Sequence, residues 1–437
     1  MLKIFGCFCK GKKDNKRERM NRRYRRKIII LGEALVILAP FLVIAFLVYP
    51  VADDYNYGSE VYRVWVKEQN QSLASVLYLL KHAFEVTYHD WRFGRGEYSS
   101  FIFSCLMPSA FGNHTTWINA WLLIGISTAA IWKFVDVIFR KWLKIYDKYI
   151  YTCFPLLLFY VVSYMPSISQ GYYWFNGAFY NLFIASVGMI YIIDCIYNVL
   201  NGTEISMKRQ MGIVCLAWLV GGGNYASILV LGILMVLLLM YLFYDTGKVN
   251  RCYFKYFLPF AVFSCLNLFA PCNLNRTWET EKSYIKTIVG SLAAVPKVCG
   301  PWLIQTPLIL LLLVIGFLVW NNMDIQVQKR KRIHPAFLII ITYLLVAAMI
   351  CPILYAKEFL GEGRVYNVYY MIFVLLTVFD CVYTIRYIRL HFAVGKYLNI
   401  PASVSQYSIN KNGYLINILL IVILVGSMFV GGGIRIS

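Results

Sequence analysis

The feature that most limits how this chain can fold is a series of apolar stretches, separated by short segments rich in Lys and Arg. The first stretch covers residues 28–49. About 20 apolar residues are what a helix needs to cross the ~30 Å hydrocarbon core of a bilayer. Hydrophobic residues make up 60% of the chain and charged residues only 14%, which lies outside the usage of soluble globular proteins. The sequence predicts an all-α polytopic membrane protein.

The net charge of +21 follows the pattern of membrane topology rather than that of a nucleic-acid surface. Residues 1–27 hold 12 of the 42 Lys and Arg, and most of the others flank apolar stretches. Cytoplasmic segments are enriched in Lys and Arg, and polybasic arms bind anionic lipid. We therefore interpret residues 1–27 as a cytoplasmic arm, expect membrane lipids as partners, and expect no nucleic acid.

With residues 1–27 in the cytoplasm, the apolar stretches predict about 11 transmembrane helices, with the N-terminus cytoplasmic and the C-terminus outside. One transmembrane domain would cover residues 28–434, followed by a short outer tail at 435–437. Residues 284–299 are interpreted as amphipathic. The predicted spans are 28–49, 117–139, 149–165, 178–200, two within 211–244, then 256–270, 301–320, 336–355, 365–385 and 414–430.

The apolar stretch 211–244 determines the topology of the second half. As one helix it would be about 51 Å long at ~1.5 Å per residue, well beyond the ~30 Å core. It would also place the basic cluster 329–332 outside, against the positive-inside rule. We therefore predict a break at 221–224, either as a plain glycine hairpin or as a turn that carries Asn224 towards a cavity.

Two adjacent carboxylates, Asp53 and Asp54, follow the first stretch, where a helix should reach the outer surface. They begin a predicted outer loop, residues 50–116, whose amphipathic stretches such as 73–84 should lie along the membrane. A carboxylate there can take a proton from a hydroxyl, or it can merely cap the next helix. Neighbouring side chains diverge, so one would face a cavity while the other orients a helix end. We assign the base to Asp53, with Asp54 as the alternative.

A phosphate leaving group needs cations to hold its charge, and the predicted outer segments supply several. Each of them could equally pair with lipid headgroups. Arg276 and Arg364 stand out because each lies near a predicted helix end, beside small or amide residues. The five candidates are Arg92, Arg95, Arg276, Lys357 and Arg364.

Other polar and aromatic residues cluster at the predicted outer turns. Segment 171–177 includes Tyr173, Trp174 and Asn176; such aromatic faces bind sugars, although an interfacial aromatic belt explains them equally well. Two further amides join the substrate-binding candidates, Asn224 and Asn273. His89 and Asp90 are the residues that would join a divalent metal site, and the need for a metal stays open.

The order of these motifs resembles the GT-C superfamily of polytopic glycosyltransferases, specifically an uncharacterised bacterial branch. The resemblance implies transfer of a sugar from a polyprenyl-phosphate-linked donor to a cell-envelope glycan or lipid. The reaction would occur at the outer face of the bacterial cytoplasmic membrane, with Asp53 or Asp54 as general base. Cys272 occupies a position at which the motif of this superfamily is expected to have Gly. The motifs are Ala52-Asp53-Asp54-Tyr55, Asn176-Gly177, Gly222-Gly223-Asn224, Ala270-Pro271-Cys272-Asn273 with Arg276, and Gly363-Arg364 with Asn367.

Two other functions fit the same composition: a flippase or transporter for lipid-linked sugars, and a non-catalytic envelope-assembly protein. Transporters usually show repeated halves and ionisable groups near mid-bilayer. Here the polar residues with functional character concentrate on one predicted face. The acidic residues in or beside spans lie towards predicted cytoplasmic ends and are assigned structural roles: Glu33, Asp136, Asp194 and Asp380.

Overall fold

The computed structural model describes residues 24–25, 27–145, 147–275, 283–323, 331–396 and 426, with the backbone alone at 147, 148, 151 and 392–396. Within these ranges all regular secondary structure is helical. The predicted span 414–430, apart from residue 426, and the candidate Arg276 lie outside the described residues.

Seven helices of the described chain are long and apolar enough to cross a membrane, which confirms the prediction of an all-α, multi-pass membrane protein. Two shorter apolar helices accompany them, Thr152–Ser163 and Leu308–Asn322. The total of 11 spans and their orientation stay predictions. The seven are Lys27–Leu47, Asn113–Trp142, Phe175–Asn201, Tyr225–Thr246, Tyr284–Ile304, Pro335–Lys357 and Gly363–His391.

The helices are numbered here in chain order. The first, α1, is Lys27–Leu47. The others are α2 (Asp53–Val61), α3 (Leu73–Phe93), α4 (Tyr98–Cys105), α5 (Thr116–Val135), α6 (Asp147–Ser163), α7 (Phe175–Ala178), α8 (Ile184–Asn201), α9 (Met207–Gly221), α10 (Tyr225–Thr246), α11 (Arg251–Leu268), α12 (Pro271–Leu274), α13 (Tyr284–Ile304), α14 (Leu308–Asn322), α15 (Pro335–Lys357) and α16 (Gly363–Lys396).

The predicted first loop contains three helices, α2, α3 and α4. The stretch interpreted as amphipathic at 73–84 is part of the longer α3, which begins where the Ser72 hydroxyl accepts a hydrogen bond from the Ser75 N–H at 3.2 Å. At its other end, the indole N–H of Trp91 donates to the Leu266 carbonyl at 2.9 Å. This hydrogen bond attaches α3 to α11.

The predicted break in the long apolar stretch is present. Helix α9 ends at Gly221 and α10 begins at Tyr225, capped by the Asn224 side chain, which accepts from the Ser227 N–H at 2.8 Å. A Cβ at Gly221 would lie 2.8 Å from the backbone nitrogen of Ser264 in α11. Because α9 and α11 approach this closely, glycine is required at that position.

The interpretation of residues 284–320 was wrong in its boundaries. The stretch taken as amphipathic is most of α13, one of the helices able to cross a membrane, and the helix expected at 301–320 is the shorter α14. Pro301 was expected to start a helix, yet it lies inside α13. Trp302 packs against Tyr370 of α16 with ring centroids 5.4 Å apart, so tertiary contacts carry the helix past the proline.

Two of the acidic residues assigned structural roles, Asp194 and Asp380, make contacts suited to that role, whereas one buried oxygen of Glu33 has no hydrogen-bond partner among the described residues. Asp194 on α8 accepts a hydrogen bond from Tyr256 at 2.6 Å and pairs with Lys133 at 2.5 Å and Arg209 at 2.9 Å. These partners come from α11, α5 and α9, so one carboxylate connects four helices. Asp380 of α16 accepts from the Thr342 hydroxyl of α15 at 2.7 Å.

Candidate functional site

The two adjacent carboxylates separate in the fold. They are the first two residues of α2; Asp54 is 3% exposed, whereas Asp53 is exposed. The backbone turns sharply at Ala52, which has φ 47° and ψ −114°. A positive φ at a residue with a Cβ is strained and persists only where surrounding contacts enforce it. The strain at Ala52 therefore points to strong contacts around Asp54.

Asn176 supplies most of those contacts. One Asp54 oxygen, Oδ1, accepts from the Asn176 backbone N–H at 3.1 Å and from its Nδ2 at 2.7 Å. The other oxygen, Oδ2, accepts from the Val51 N–H at 3.3 Å. Asn176 lies in α7, at the aromatic turn that the sequence singled out. The segment that follows α1 and this turn are thus joined through the Asp54 carboxylate.

Burial raises the pKa of Asp54 above its ordinary value, and the hydrogen bonds from Asn176 and Val51 oppose that rise. Asp53 has the opposite surroundings: its side chain forms no hydrogen bond or ion pair with any residue that the structure describes. One carboxylate is therefore held by hydrogen bonds, and the other is exposed. The two side chains diverge, as their positions in the sequence predict, and the cavity expected beside one of them stays a prediction.

Arg364 lies against the same turn. Its guanidinium carbon is 4.6 Å from the ring centroid of Trp174, and its Nη2 pairs with Glu362 at 2.8 Å. The Arg364 side chain keeps 24% of its surface exposed. Its backbone N–H donates to Gln170 at 2.9 Å, so the start of α16 is fixed on the segment before Trp174. A cation held this way can still contact a bound anion.

Asn367, one turn after Arg364 in α16, adds further hydrogen bonds between the start of this helix and the segment before Trp174. Its Nδ2 donates to the Ser167 carbonyl at 2.6 Å, and its Oδ1 accepts from the Ser167 N–H at 2.9 Å. The residue is fully buried. A Cβ at Gly171 would lie 2.7 Å from Asn367 Nδ2, which explains the glycine in the turn. The aromatic turn is therefore a rigid platform.

Tyr173 serves as a structural connection to α1. Its hydroxyl donates to the Phe41 carbonyl at 3.0 Å, and burial raises its pKa to about 12. Its hydroxyl already has a protein partner, so Trp174, with Arg364 on its face, is the more suitable aromatic candidate for a ligand.

Arg95 forms a second cationic group next to the Asp54 anchor. Its Nη2 donates to the Tyr57 hydroxyl at 2.7 Å, and its Nε pairs with Asp90 at 3.1 Å. The guanidinium lies over the rings of Tyr57, Phe101 and Tyr180 at 5.5 to 5.7 Å. Tyr57 is three residues after Asp54 and Tyr180 is four after Asn176, so the Arg95 group adjoins the Asp54–Asn176 contact.

Within the described ranges, no group of three or more His, Cys, Asp or Glu side chains is arranged to hold a metal ion. His89 packs against Phe93 with ring centroids 5.0 Å apart, while Asp90 is the ion-pair partner of Arg95.

Two predicted amides are committed to internal hydrogen bonds. Asn224 caps α10 and donates to the Tyr180 carbonyl at 2.6 Å. Asn273 donates to the Asn267 carbonyl at 2.8 Å and accepts from the Tyr225 hydroxyl at 3.0 Å. Both side chains therefore stabilise the local fold, and Asn224 does so through the backbone of Tyr180, whose ring contacts Arg95.

Two further predicted cations form no hydrogen bond, ion pair or ring contact with Asp54, Asn176 or Trp174 among the residues that the structure describes. Arg92 is exposed on α3, with its guanidinium 5.3 Å from the Phe93 ring centroid. Lys357 is exposed at the end of α15, with its Nζ 5.9 Å from the Phe359 ring centroid.

Sequence reasoning missed Tyr57, Tyr180 and Gln170, which hold the two arginines in place. Helical spacing from Asp54 would have indicated Tyr57, whereas Gln170 carries no signal in the sequence. Comparison of the chain with protein-family models, with curated proteins and with solved structures gave no match. The functional argument therefore depends on the geometry of this group, namely Asp53, Asp54, Arg95, Trp174, Asn176 and Arg364.

Proposed function

We propose that the protein is a lipid-dependent glycosyltransferase of the GT-C type. One observation carries the proposal: the contacts Asp54–Asn176 and Trp174–Arg364 join three distant segments of the chain into one group. The group combines a solvent-facing carboxylate, a half-buried aromatic face and a partly exposed guanidinium. A glycosyl transfer from a phosphate-linked donor needs a base, a sugar platform and a cation.

In this proposal Asp53 is the general base. A base must come within hydrogen-bond reach of the hydroxyl that it deprotonates, and Asp53 is exposed, whereas both oxygens of Asp54 already accept hydrogen bonds. Asp54 acts as a positioning residue that holds the start of α2. As the acceptor oxygen bonds to the anomeric carbon, its proton passes to Asp53 and the bond from that carbon to the phosphate oxygen breaks. Attack from the opposite side inverts the anomeric centre.

The departing phosphate takes the bonding electron pair and needs positive charge beside it. Arg364 is suited to this task because it lies on Trp174, where the sugar of the donor would stack. Arg95 has 35% of its side chain exposed and is the second candidate, while Arg276 keeps this role as a sequence-based proposal. Both described arginines have a carboxylate partner, which would hold them in position before the donor binds.

The donor in this proposal is a sugar linked to polyprenyl phosphate, and the acceptor is a glycan or lipid of the cell envelope. We place the reaction at the outer face of a bacterial cytoplasmic membrane. The distribution of Lys and Arg supports that side, since the polybasic segment 1–27 precedes α1 and Asp53 follows it.

A transporter for lipid-linked sugars is the second candidate, favoured by Asp380. This carboxylate is 8% exposed within a helix able to span the membrane and has the Thr342 hydroxyl as a partner. Ionisable residues at such positions often mark transport pathways. The essential carboxylate is Asp53 in the glycosyltransferase proposal and Asp380 in the transporter proposal.

The deciding experiment measures sugar transfer from a radiolabelled polyprenyl-phosphate donor in membranes that contain Asp53→Asn, Asp54→Asn, Asp380→Asn or the control Glu85→Gln. Loss of a general base lowers the rate by about 10²- to 10⁴-fold, so Asp53→Asn should fall in that range. Glu85→Gln, an exposed change on α3, should keep full activity. Full activity of Asp53→Asn at normal protein amount would refute the assigned base. If the protein is a transporter, neither the unaltered protein nor any variant should raise sugar transfer above that of membranes without it.

A further inference from the structure

A groove of about 630 Å³ runs between α1, α5 and the start of α6. Its walls are apolar along most of their length, with Leu31 and Leu38 from α1 facing Gly125 and Trp132 from α5. Leu31 is 61% exposed, so the groove opens at the side of the bundle.

The groove exists because α1 packs loosely. Only 22% of the apolar window of α1 is buried, compared with 56% in Asn113–Trp142 and 67% in Phe175–Asn201. In a membrane the uncovered surface must face lipid, because no water is present at that depth to hydrate it. A lipid chain in the groove would complete the packing between α1 and α5.

The groove has a defined direction. Lys27 and Arg140 line one end, while Leu42 and Trp121 line the other, where the Trp121 indole N–H donates to the Leu42 carbonyl at 3.3 Å. The distance from Lys27 to Leu42 along α1 is about 22 Å at ~1.5 Å per residue. Half of the ~30 Å hydrocarbon core is ~15 Å, so the groove can hold an acyl chain of one leaflet in full.

The end with the two cations carries a net positive charge. Arg140 and Lys141 both pair with Asp136, so these three residues together leave one positive charge. Lys27 adds another, since it forms no ion pair with a residue in the described ranges. Glu33, the acidic residue of α1, is not among the lining residues. An anionic headgroup would therefore be attracted to this end.

We propose that this groove is a binding site for an anionic phospholipid. The phosphate lies between Lys27 and Arg140, and one acyl chain extends along α1 towards Leu42. This site is independent of the proposed sugar transfer, because its charged end lies at the start of α1 and Asp53 follows the end of that helix.

Gly125 allows a direct test of the chain-binding part. A Cβ at Gly125 would meet nothing within 4 Å, and the residue lines the groove, so Gly125→Leu would introduce an apolar side chain into the groove. Gly232 of α10 has the same open surroundings in another membrane-crossing helix and is not among the groove residues. Gly232→Leu is therefore the matched control. Lys27→Gln tests the headgroup part at an exposed position.

The experiment is native mass spectrometry of the full-length protein after incubation with phosphatidylglycerol or phosphatidylcholine of identical acyl chains. The unaltered protein and Gly232→Leu should retain phosphatidylglycerol about tenfold more than phosphatidylcholine. Gly125→Leu should retain about tenfold less phosphatidylglycerol than the unaltered protein, and Lys27→Gln should lose most of the preference between the two lipids.

Three outcomes would overturn the proposal: equal retention of the two lipids, undiminished retention of phosphatidylglycerol in both groove variants, or displacement of phosphatidylglycerol by polyprenyl phosphate at equal concentration. Size-exclusion chromatography confirms that each variant is monodisperse. If Gly125→Leu does not fold, the conservative change at Lys27 still decides the outcome, because it leaves the packing of α5 unaltered.

Discussion

Asn176 donates two hydrogen bonds to the same carboxylate oxygen of Asp54, from its backbone N–H at 3.1 Å and from its side chain at 2.7 Å. The two residues are 122 positions apart in the sequence. Since the carboxylate is 3% exposed, these bonds replace water around it. The pair is therefore one contact that fixes the first segment after α1 to the rest of the protein.

Asn176→Ala removes one of these bonds while the carboxylate stays buried. The backbone N–H groups of Asn176 and Val51 still donate to Asp54, but the lost side-chain bond to a carboxylate contributes about 1.5–3 kcal/mol, so the thermal unfolding midpoint in detergent should fall clearly. Asn201→Ala is the control, because Asn201 is exposed and bonds only within its own helix, to the Tyr197 carbonyl at 2.6 Å. Equal midpoints for both variants would show that the contact does not stabilise the fold.

The raised pKa of Asp54 predicts a pH dependence of stability. The folded protein holds the Asp54 proton more tightly than the unfolded chain, whose ordinary value is 3.8. The stabilising contribution is therefore complete below pH 3.8 and is lost as the pH rises through the pKa of the folded state. Asp54→Asn has no ionisable group there, so its unfolding midpoint relative to the unaltered protein should increase over that interval and then level off.

Thermal unfolding at a series of pH values from acidic to neutral checks this expectation. Glu85→Gln provides the comparison, since the Glu85 side chain is 63% exposed and its replacement removes no burial cost. The expectation fails if the difference between Asp54→Asn and the unaltered protein is flat with pH, or if Glu85→Gln shows the same rise.

Arg364→Lys keeps the charge but loses the planar contact with Trp174. Cation–π contacts of this kind contribute about 0.5–2 kcal/mol, and 1.4 kcal/mol is a factor of ten, so the KM for a polyprenyl-phosphate donor should rise about 2- to 30-fold. The matched change Arg92→Lys, at an exposed site on α3, should leave the KM unaltered. Equal kinetics for the two variants would remove Arg364 from the proposed donor site.

Glycine positions give a prediction that does not depend on function. Gly221→Ala would place a Cβ 2.8 Å from the backbone nitrogen of Ser264, and such crowding costs about 1–3 kcal/mol because backbone cannot move aside easily. Gly232→Ala meets nothing within 4 Å and should be neutral or stabilise α10 by up to about 1 kcal/mol. Unfolding midpoints in detergent compare the two, and an unaffected Gly221→Ala would contradict the close approach of α9 and α11.

The cations of the predicted outer segments show which part of the site sequence reasoning could not resolve. Arg364 was singled out because of small and amide neighbours, and the structure places it on Trp174. Arg95, one of five similar candidates, is the cation held by Tyr57, Phe101 and Tyr180. Nothing in the local sequence separates Arg95 from Arg92, because the difference arises from rings that lie on other helices.

The sequence by itself determined that the chain is helical and apolar enough to cross a membrane several times, and that it breaks at 221–224. These properties follow from runs of apolar residues and from glycine, which act locally along the chain. Only the tertiary structure decided that Asp54 is buried while Asp53 is exposed, and that α13 continues past Pro301. Burial and packing depend on partners such as Asn176 and Tyr370, which are far away in sequence and become neighbours only when the helices assemble.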